Sequence, residues 1–171
     1  MGRAGGRDRE VEALFRAHYA PLVRGLSLAA GSPEAAADAV QDAFVQLHRH
    51  WRKVSGYDEP VAWLRRVAVN RVQDQRRGDR RRDAAVGRLQ VVTSDVAASH
   101  AGTPQLDELA DLRDAVAALP RGQRLVVGLH HLSGLPVAAV ADALEISEGT
   151  VKSQLHDARS NLRTALEVRH V

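Results

Sequence analysis

The sequence predicts an all-α protein of two small helical domains joined by a flexible linker, and three observations lead there. Apolar residues recur at three- and four-residue spacing over most of the chain. No stretch shows the strict alternation of a half-buried strand. The periodicity lapses between Asp83 and Pro104, where Gly, Ser, Thr, Ala and Pro accumulate. The boundaries expected are 1–82 for the first domain, 83–106 for the linker and 107–171 for the second. At 171 residues, two such domains can each bury a modest core.

The first apolar stripe is Val11, Leu14, Phe15, Tyr19, Leu22, Val23 and Leu26, with Pro21 expected to split or kink it and Gly31 to end it. Ser32, Pro33 and Glu34 restart the chain as N-cap, first helical residue and a carboxylate favourable to the helix dipole. The helix that follows runs to about Trp51 and buries Ala36, Val40, Ala43, Phe44, Leu47 and Trp51. Its other face carries Asp38, Gln41, Asp42, Val45, His48 and Arg49, a mix of carboxylate, amide and one aliphatic that suits a specific polar partner. A loop, Arg52–Glu59, leads to Pro60, which opens a third helix extending to about Arg77. Leu64, Val67, Ala68 and Val72 face inward there, and Trp63, Arg66, Asn70, Gln73 and Arg77 form a separate stripe. After the linker, helical spacing returns at Leu109, Leu112, Val116 and Leu119, and past Pro120 at Leu125, Val126, Leu129 and Leu132.

The last stretch, Leu135–Arg163, reads as a DNA-binding helix-turn-helix. Val137, Val140, Ala141 and Leu144 recur at i, i+3, i+4 and i+7, and Pro136 suits a first turn. Ser147 is the N-cap of a second helix whose buried side is Val151, Leu155, Ala158, Leu162 and Leu166. The opposite face presents Lys152, Ser153, His156, Arg159 and Arg163, side chains able to reach phosphates and base edges in a major groove. Glu145 occupies the turn ahead of Ile146, a place where φ tends to be positive and glycine is frequent, so strain or an altered turn is expected.

Charge is unevenly spread. The formal net charge is +3, but residues 1–82 hold 16 Lys and Arg against 10 Asp and Glu, while residues 83–112 hold 1 against 5. The excess gathers at Arg71, Arg76, Arg77, Arg80, Arg81 and Arg82, a run consistent with nucleic-acid contact or with a solvated helix end. The chain has no cysteine, which removes disulfides, thiolate zinc sites and thiol redox chemistry. His130 and His131 are adjacent on a helix and so point about 100° apart, with no third ligand spaced to join them; no metal is expected. No P-loop, nucleophile elbow or HExxH motif is present, so neither catalysis nor a cofactor is expected. No apolar run approaches the roughly 18 residues that span a bilayer, so no membrane insertion is expected and a soluble, cytoplasmic protein is.

Five stretches in order, FRAHYAPL (Phe15–Leu22), ADAVQDAFVQLHRHW (Ala37–Trp51), PVAWLRRVAVNRVQDQRR (Pro60–Arg77), LPRGQRLVV (Leu119–Val127) and VADALEISEGTVKSQLHDARSNL (Val140–Leu162), resemble the bacterial extracytoplasmic-function sigma factors. These are the promoter-recognition subunits of RNA polymerase built from two helical domains, σ2 and σ4, and the likeness is nearest to actinobacterial-type members. The resemblance implies that Asp38, Gln41, Asp42, Val45, His48 and Arg49 dock on core RNA polymerase. It implies that Tyr57 in the loop, with Trp63, Arg66, Asn70, Gln73 and Arg77, opens and reads the −10 element, where an unstacked base needs an aromatic face and the single strand needs donors. In σ4, Thr150, Lys152, Ser153, His156 and Arg159 would read the −35 duplex, with Arg124 and Ser147 holding phosphates. An anti-sigma factor is a possible further partner. Two other readings stay open: a stand-alone regulator, since EISEGTVKSQL also resembles the LuxR-type output domain, and a degenerate sigma-like protein that binds partners without reading promoters.

Overall fold

A computed structural model describes the backbone of residues 3–86 and 104–169 and, within these, the side chains of residues 6–75 and 110–167. The described residues form α1 (Arg3–Ala30), α2 (Pro33–Val54), α3 (Pro60–Val86), α4 (Pro104–Ala118), α5 (Arg121–Val127), α6 (Val137–Leu144) and α7 (Glu148–Arg169), with a π-helical turn, Gly128–Leu132, continuing α5. No strand occurs among them, so the all-α expectation holds.

The starts and stops follow the local chemistry. Gly31 closes α1 at φ 89°, which a side chain would resist. Ser32 then caps α2, its Oγ accepting the Ala35 N–H at 3.1 Å, with Pro33 in the first turn where a missing N–H does no harm. Two helices exceed their expected bounds. Pro21 lies inside an unbroken α1, and α1 begins at Arg3 rather than near Val11. Polar contacts explain the early start: Trp51 Nε1 donates to Glu10 Oε2 at 2.8 Å, and His48 Nε2 pairs with Asp8 Oδ1 at 3.0 Å, fastening the first turns of α1 along the end of α2. Likewise α3 continues through the arginine run to Val86, and α4 opens at Pro104. Both ends of the expected linker are thus helical, and residues 87–103 lie outside the described ones.

Val40, Leu47, Leu64, Ala68 and Val72 are sealed among α1, α2 and α3, and Leu129, Val140, Val151 and Ala158 among α5, α6 and α7. These two groups of helices do not keep separate cores. Most of the buried side chains form one cluster that holds Leu22, Leu26 and Val69 together with Leu129, Val140 and Val151. Val69 is the telling residue. It lies off the Leu64–Ala68–Val72 face, on the stripe of Ala62, Arg66 and Gln73, yet is only 1% exposed; α6 packs on α3, and Asp142 meets Arg66 of this stripe.

Polar contacts cross the same seam. Ser133 Oγ donates to the Pro21 carbonyl at 2.7 Å, Arg121 Nη2 donates to the Val72 carbonyl at 3.1 Å, and Arg66 Nη1 lies 3.9 Å from Asp142 Oδ1. At its centre Gly25 of α1 meets Gly128, the first residue of the π turn, backbone to backbone; a Cβ on either would overlap the other side.

Candidate nucleic-acid and partner interfaces

In the helix-turn-helix, α6 ends in a Schellman motif: Ile146 N–H donates to the Ala141 carbonyl at 3.0 Å and Glu145 N–H to the Asp142 carbonyl at 3.3 Å. Glu145 is left-handed, at φ 55° and ψ 43°. The turn therefore keeps the geometry a glycine would give, at a strain of order 1–2 kcal/mol for a residue with a Cβ. One residue on, Ser147 Oγ accepts the Thr150 N–H at 3.0 Å and lies 2.8 Å from Thr150 Oγ1. Ser147 is thus engaged as the cap of α7, and Thr150 carries its hydroxyl tied to that cap.

Val151 and Ala158 are fully buried and set the phase of α7. Lys152, Ser153, His156, Arg159 and Arg163 consequently face solvent. His156, Arg159, Ser160 and Arg163 line an open concavity of about 260 Å³, cationic in character and suited to anionic oxygens. Acid tempers the start of this face, since Glu148 Oε2 lies 3.7 Å from Lys152 Nζ. Arg124 sits half-buried on α5, which packs along α7. The neighbouring Gln123 accepts from Asn161 Nδ2 at 2.9 Å, joining the two helices on that side.

On α2, Asp38, Gln41, Asp42 and Arg49 are exposed, as is Val45 at 43%. His48 is half-buried against Asp8. The His48 hydrogen bond, followed by that from Arg7, holds the Asp8 carboxyl below its ordinary 3.8. Phe15, 40% exposed, stacks on Tyr19 and edges onto Phe44, so the stripe adjoins an aromatic patch.

The third group is less uniform. Tyr57 is exposed in the α2–α3 loop. Trp63 is half-buried with its ring edge-on to His50 at 6.3 Å, a packing role that leaves part of its face open. Asn70 is exposed, Gln73 half-buried, and Arg66 drawn toward Asp142. The side chains of Arg77 and of Arg80, Arg81 and Arg82 lie outside the described residues. Sequence reasoning missed Gly25, Gly128, Ser133 and Asp142, which join the two helical groups. Glycines inside helical patterns are the signal that could have found the first two, since they mark close backbone approach.

Among the described residues no cluster of His, Asp or Glu is arranged to hold a metal ion, and no helix is long and apolar enough to cross a membrane.

The profile of sigma-70 region 2 matches residues 14–82 and that of sigma-70 region 4 matches residues 109–162. The ECF RNA polymerase sigma factor SigL of Mycobacterium tuberculosis is 32% identical over 167 residues, covering 97% of this chain and 94% of that protein. SigM, an ECF RNA polymerase sigma factor of the same organism, is 33% identical over 154 residues, covering 90% of this chain and 75% of that protein. Among solved structures, the sigma factor RpoE in complex with the anti-sigma factor NepR from Bartonella quintana superposes with a TM-score of 0.70 at 23% identity, over 92% of this chain and 96% of that one. That likeness extends through both helical groups and speaks for the fold.

Proposed function

Because the chain belongs to the sigma-70 family, in its extracytoplasmic-function group, we propose that it binds core RNA polymerase and directs initiation by reading −35 duplex through α7 and melting and reading −10 DNA through α3 and its preceding loop. The observation that carries this reading is the pairing, on one chain and in order, of a region 2 and a region 4 match. A stand-alone regulator would leave α1–α3 without a role. Glu145 gives the degenerate reading no support, since the turn keeps its left-handed geometry.

In this reading the stripe of Asp38, Gln41, Asp42, Val45, His48 and Arg49 docks on the polymerase. Tyr57 and Trp63 offer faces to an unstacked base, and Arg66, Asn70, Gln73 and Arg77 hold the single strand. Lys152, Ser153, His156 and Arg159 reach base edges or phosphates, while Thr150 and the Ser147-capped end of α7 face the backbone. Arg124 adds a phosphate contact. The chain contributes recognition and no bond chemistry, works in the cytoplasm with the polymerase, and has an anti-sigma factor as a further partner class.

A gel-shift titration with and without core polymerase tests the reading. Residues 147–166 carry Lys152, Arg159 and Arg163 against Glu148 and Asp157. So few net charges release few counterions, and the free chain should bind promoter duplex only at roughly 10⁻⁴–10⁻⁶ M, with affinity and specificity both rising when core is added. Tight, sequence-specific binding by the free chain, indifferent to polymerase, would replace the proposal with the LuxR-type one.

A further inference from the structure

We propose that Asp157 is a base-reading residue of α7, accepting the exocyclic amino group of a cytosine in the −35 duplex and so fixing a C·G pair there. This rests on the reading of α7 just given and adds the identity of one base to it. Helical spacing groups Lys152, Ser153, His156, Arg159 and Arg163 on the groove face, but the buried residues divide that face in two. Successive helical residues turn by about 100°, which puts Ser160 about 180° and Ser153 about 160° from the sealed Val151. Lys152, His156, Arg159 and Arg163 stand about 80–140° from Val151 on one side. Asp157 stands about 120° from it on the other side, together with Thr150 and Asn161, and all three are exposed. No Lys or Arg between positions 148 and 164 falls on that second side. Asp157 therefore points outward as fully as Lys152 or Arg163.

In a major groove a phosphate strand runs along each flank of the helix. The cationic side suits one strand: His156, Arg159, Ser160 and Arg163 line the open concavity, and partial burial, followed by the charges of His130 and Arg159, holds the nearby His131 imidazole below its ordinary 6.5. A carboxylate set against the other strand would meet only phosphates. Nothing offsets it, for among the described residues Asp142 lies by Arg66 and Glu148 by Lys152, whereas no ion pair engages Asp157. The seating that removes this repulsion rolls α7 about its axis, bringing the cations onto one strand and the Ser153–Asp157 line over the base edges. There a carboxylate offers acceptors and no donor, so it matches only an amino group. Cytosine N4 and adenine N6 are the two that the groove presents, and adenine sets its N7 acceptor beside N6, against the second carboxylate oxygen. Guanine and thymine present O6, N7 or O4 acceptors, which repel both oxygens. Asp157 thus ranks cytosine first, adenine next, and guanine and thymine last. Ser153, one turn nearer the N-terminus, both donates and accepts and adds no such ranking.

The test uses the full chain with matched core polymerase and duplexes randomised across the promoter span, the bound duplexes being recovered and sequenced. Wild type should select a −35 motif in which one position favours cytosine about tenfold over guanine or thymine. Asp157→Ala should level that position and leave the rest of the motif intact. Asp157→Asn, whose amide both donates and accepts, should move the preference to adenine, the base an amide pairs with through N6 and N7. Circular dichroism should be unchanged in both variants, since the side chain is exposed. If Asp157→Ala binds every sequence more tightly by the same factor, the carboxylate only repels phosphates and the assignment is overturned. A motif that Asp157→Ala leaves unchanged overturns it too, with the sigma reading still standing. If wild type with core selects no paired −35 and −10 motif, that reading fails and the assignment with it.

Discussion

Two outward stripes of the N-terminal helices meet opposite fates. On α2, five of the six polymerase-docking candidates are exposed, and His48 is half-buried against Asp8. On α3, Arg66 is drawn toward Asp142 of α6 and Gln73 is half-buried. Both stripes look alike as helical spacing. The difference teaches that a polar stripe on a helix reports what can be bound, whereas the opposite end of the chain decides what is free to bind. In this protein the α2 stripe is exposed, whereas the α3 stripe is partly covered.

The largest effect that can break this comparison lies within α2. Leu47 is fully buried and Val45 is 43% exposed. Leu47→Ala should destabilise the fold by about 2–5 kcal/mol in urea denaturation, and Val45→Ala by less than about 0.5 kcal/mol. Similar losses would mean that the phase of α2, and with it the docking stripe, is wrong.

On the reading helix, Lys152→Ala and Arg159→Ala should each lower −35-dependent transcription by about 1–3 kcal/mol if the side chain is bidentate to a base. A base contact relaxes preference at one position, and a phosphate contact weakens all sequences alike. A double variant with full activity would detach α7 from promoter reading.

Asp38→Lys with Asp42→Lys should weaken co-purification with core polymerase by about tenfold, or roughly 1.4 kcal/mol, while circular dichroism stays unchanged. Asn70→Ala should do the reverse. It should leave core binding intact and reduce the permanganate reactivity of unpaired thymines in the opened promoter. If each change impaired both steps equally, the two stripes would not have separate tasks. The smallest effect is at the turn: Glu145→Gly should stabilise the protein by about 0.5–1 kcal/mol, the relief of left-handed strain less the added freedom of glycine in the unfolded chain. A loss of stability in thermal melts would show that the turn is held by the Glu145 side chain.

What could be read from the sequence was whatever local spacing determines. The inward face of α2, the Val151 and Ala158 positions of α7, the Ser32 and Ser147 caps and the positive φ at Glu145 stand where the pattern put them, while Leu155, Leu162 and Leu166 of α7 are only half-buried. The extent of α1 and α3 escaped notice because their ends lack apolar periodicity. Arg3–Glu10 is held through Asp8 and Glu10, and the sequence from Arg76 to Val86 is arginine-rich with no apolar period. Val69 was not among the residues that the spacing of α3 turned inward, yet it is buried, and it stands on a stripe whose Arg66 reaches Asp142 of α6, an element that begins only at Val137. The surfaces were legible as polar stripes, but their covering was not, because contacts between distant segments leave no period in either one.

The continuous cluster from Leu22 to Val151 has a calorimetric consequence. Helical groups that share one core melt together, so the free chain should show a single cooperative heat-absorption peak, although two family regions can be traced along it. Separating the groups wets Val69, Leu129 and Val140, and exposed apolar area raises heat capacity. If polymerase binding separates the groups, the bound state either covers this apolar surface anew or carries that hydration, and the heat-capacity change of assembly reports how much of it the polymerase takes over.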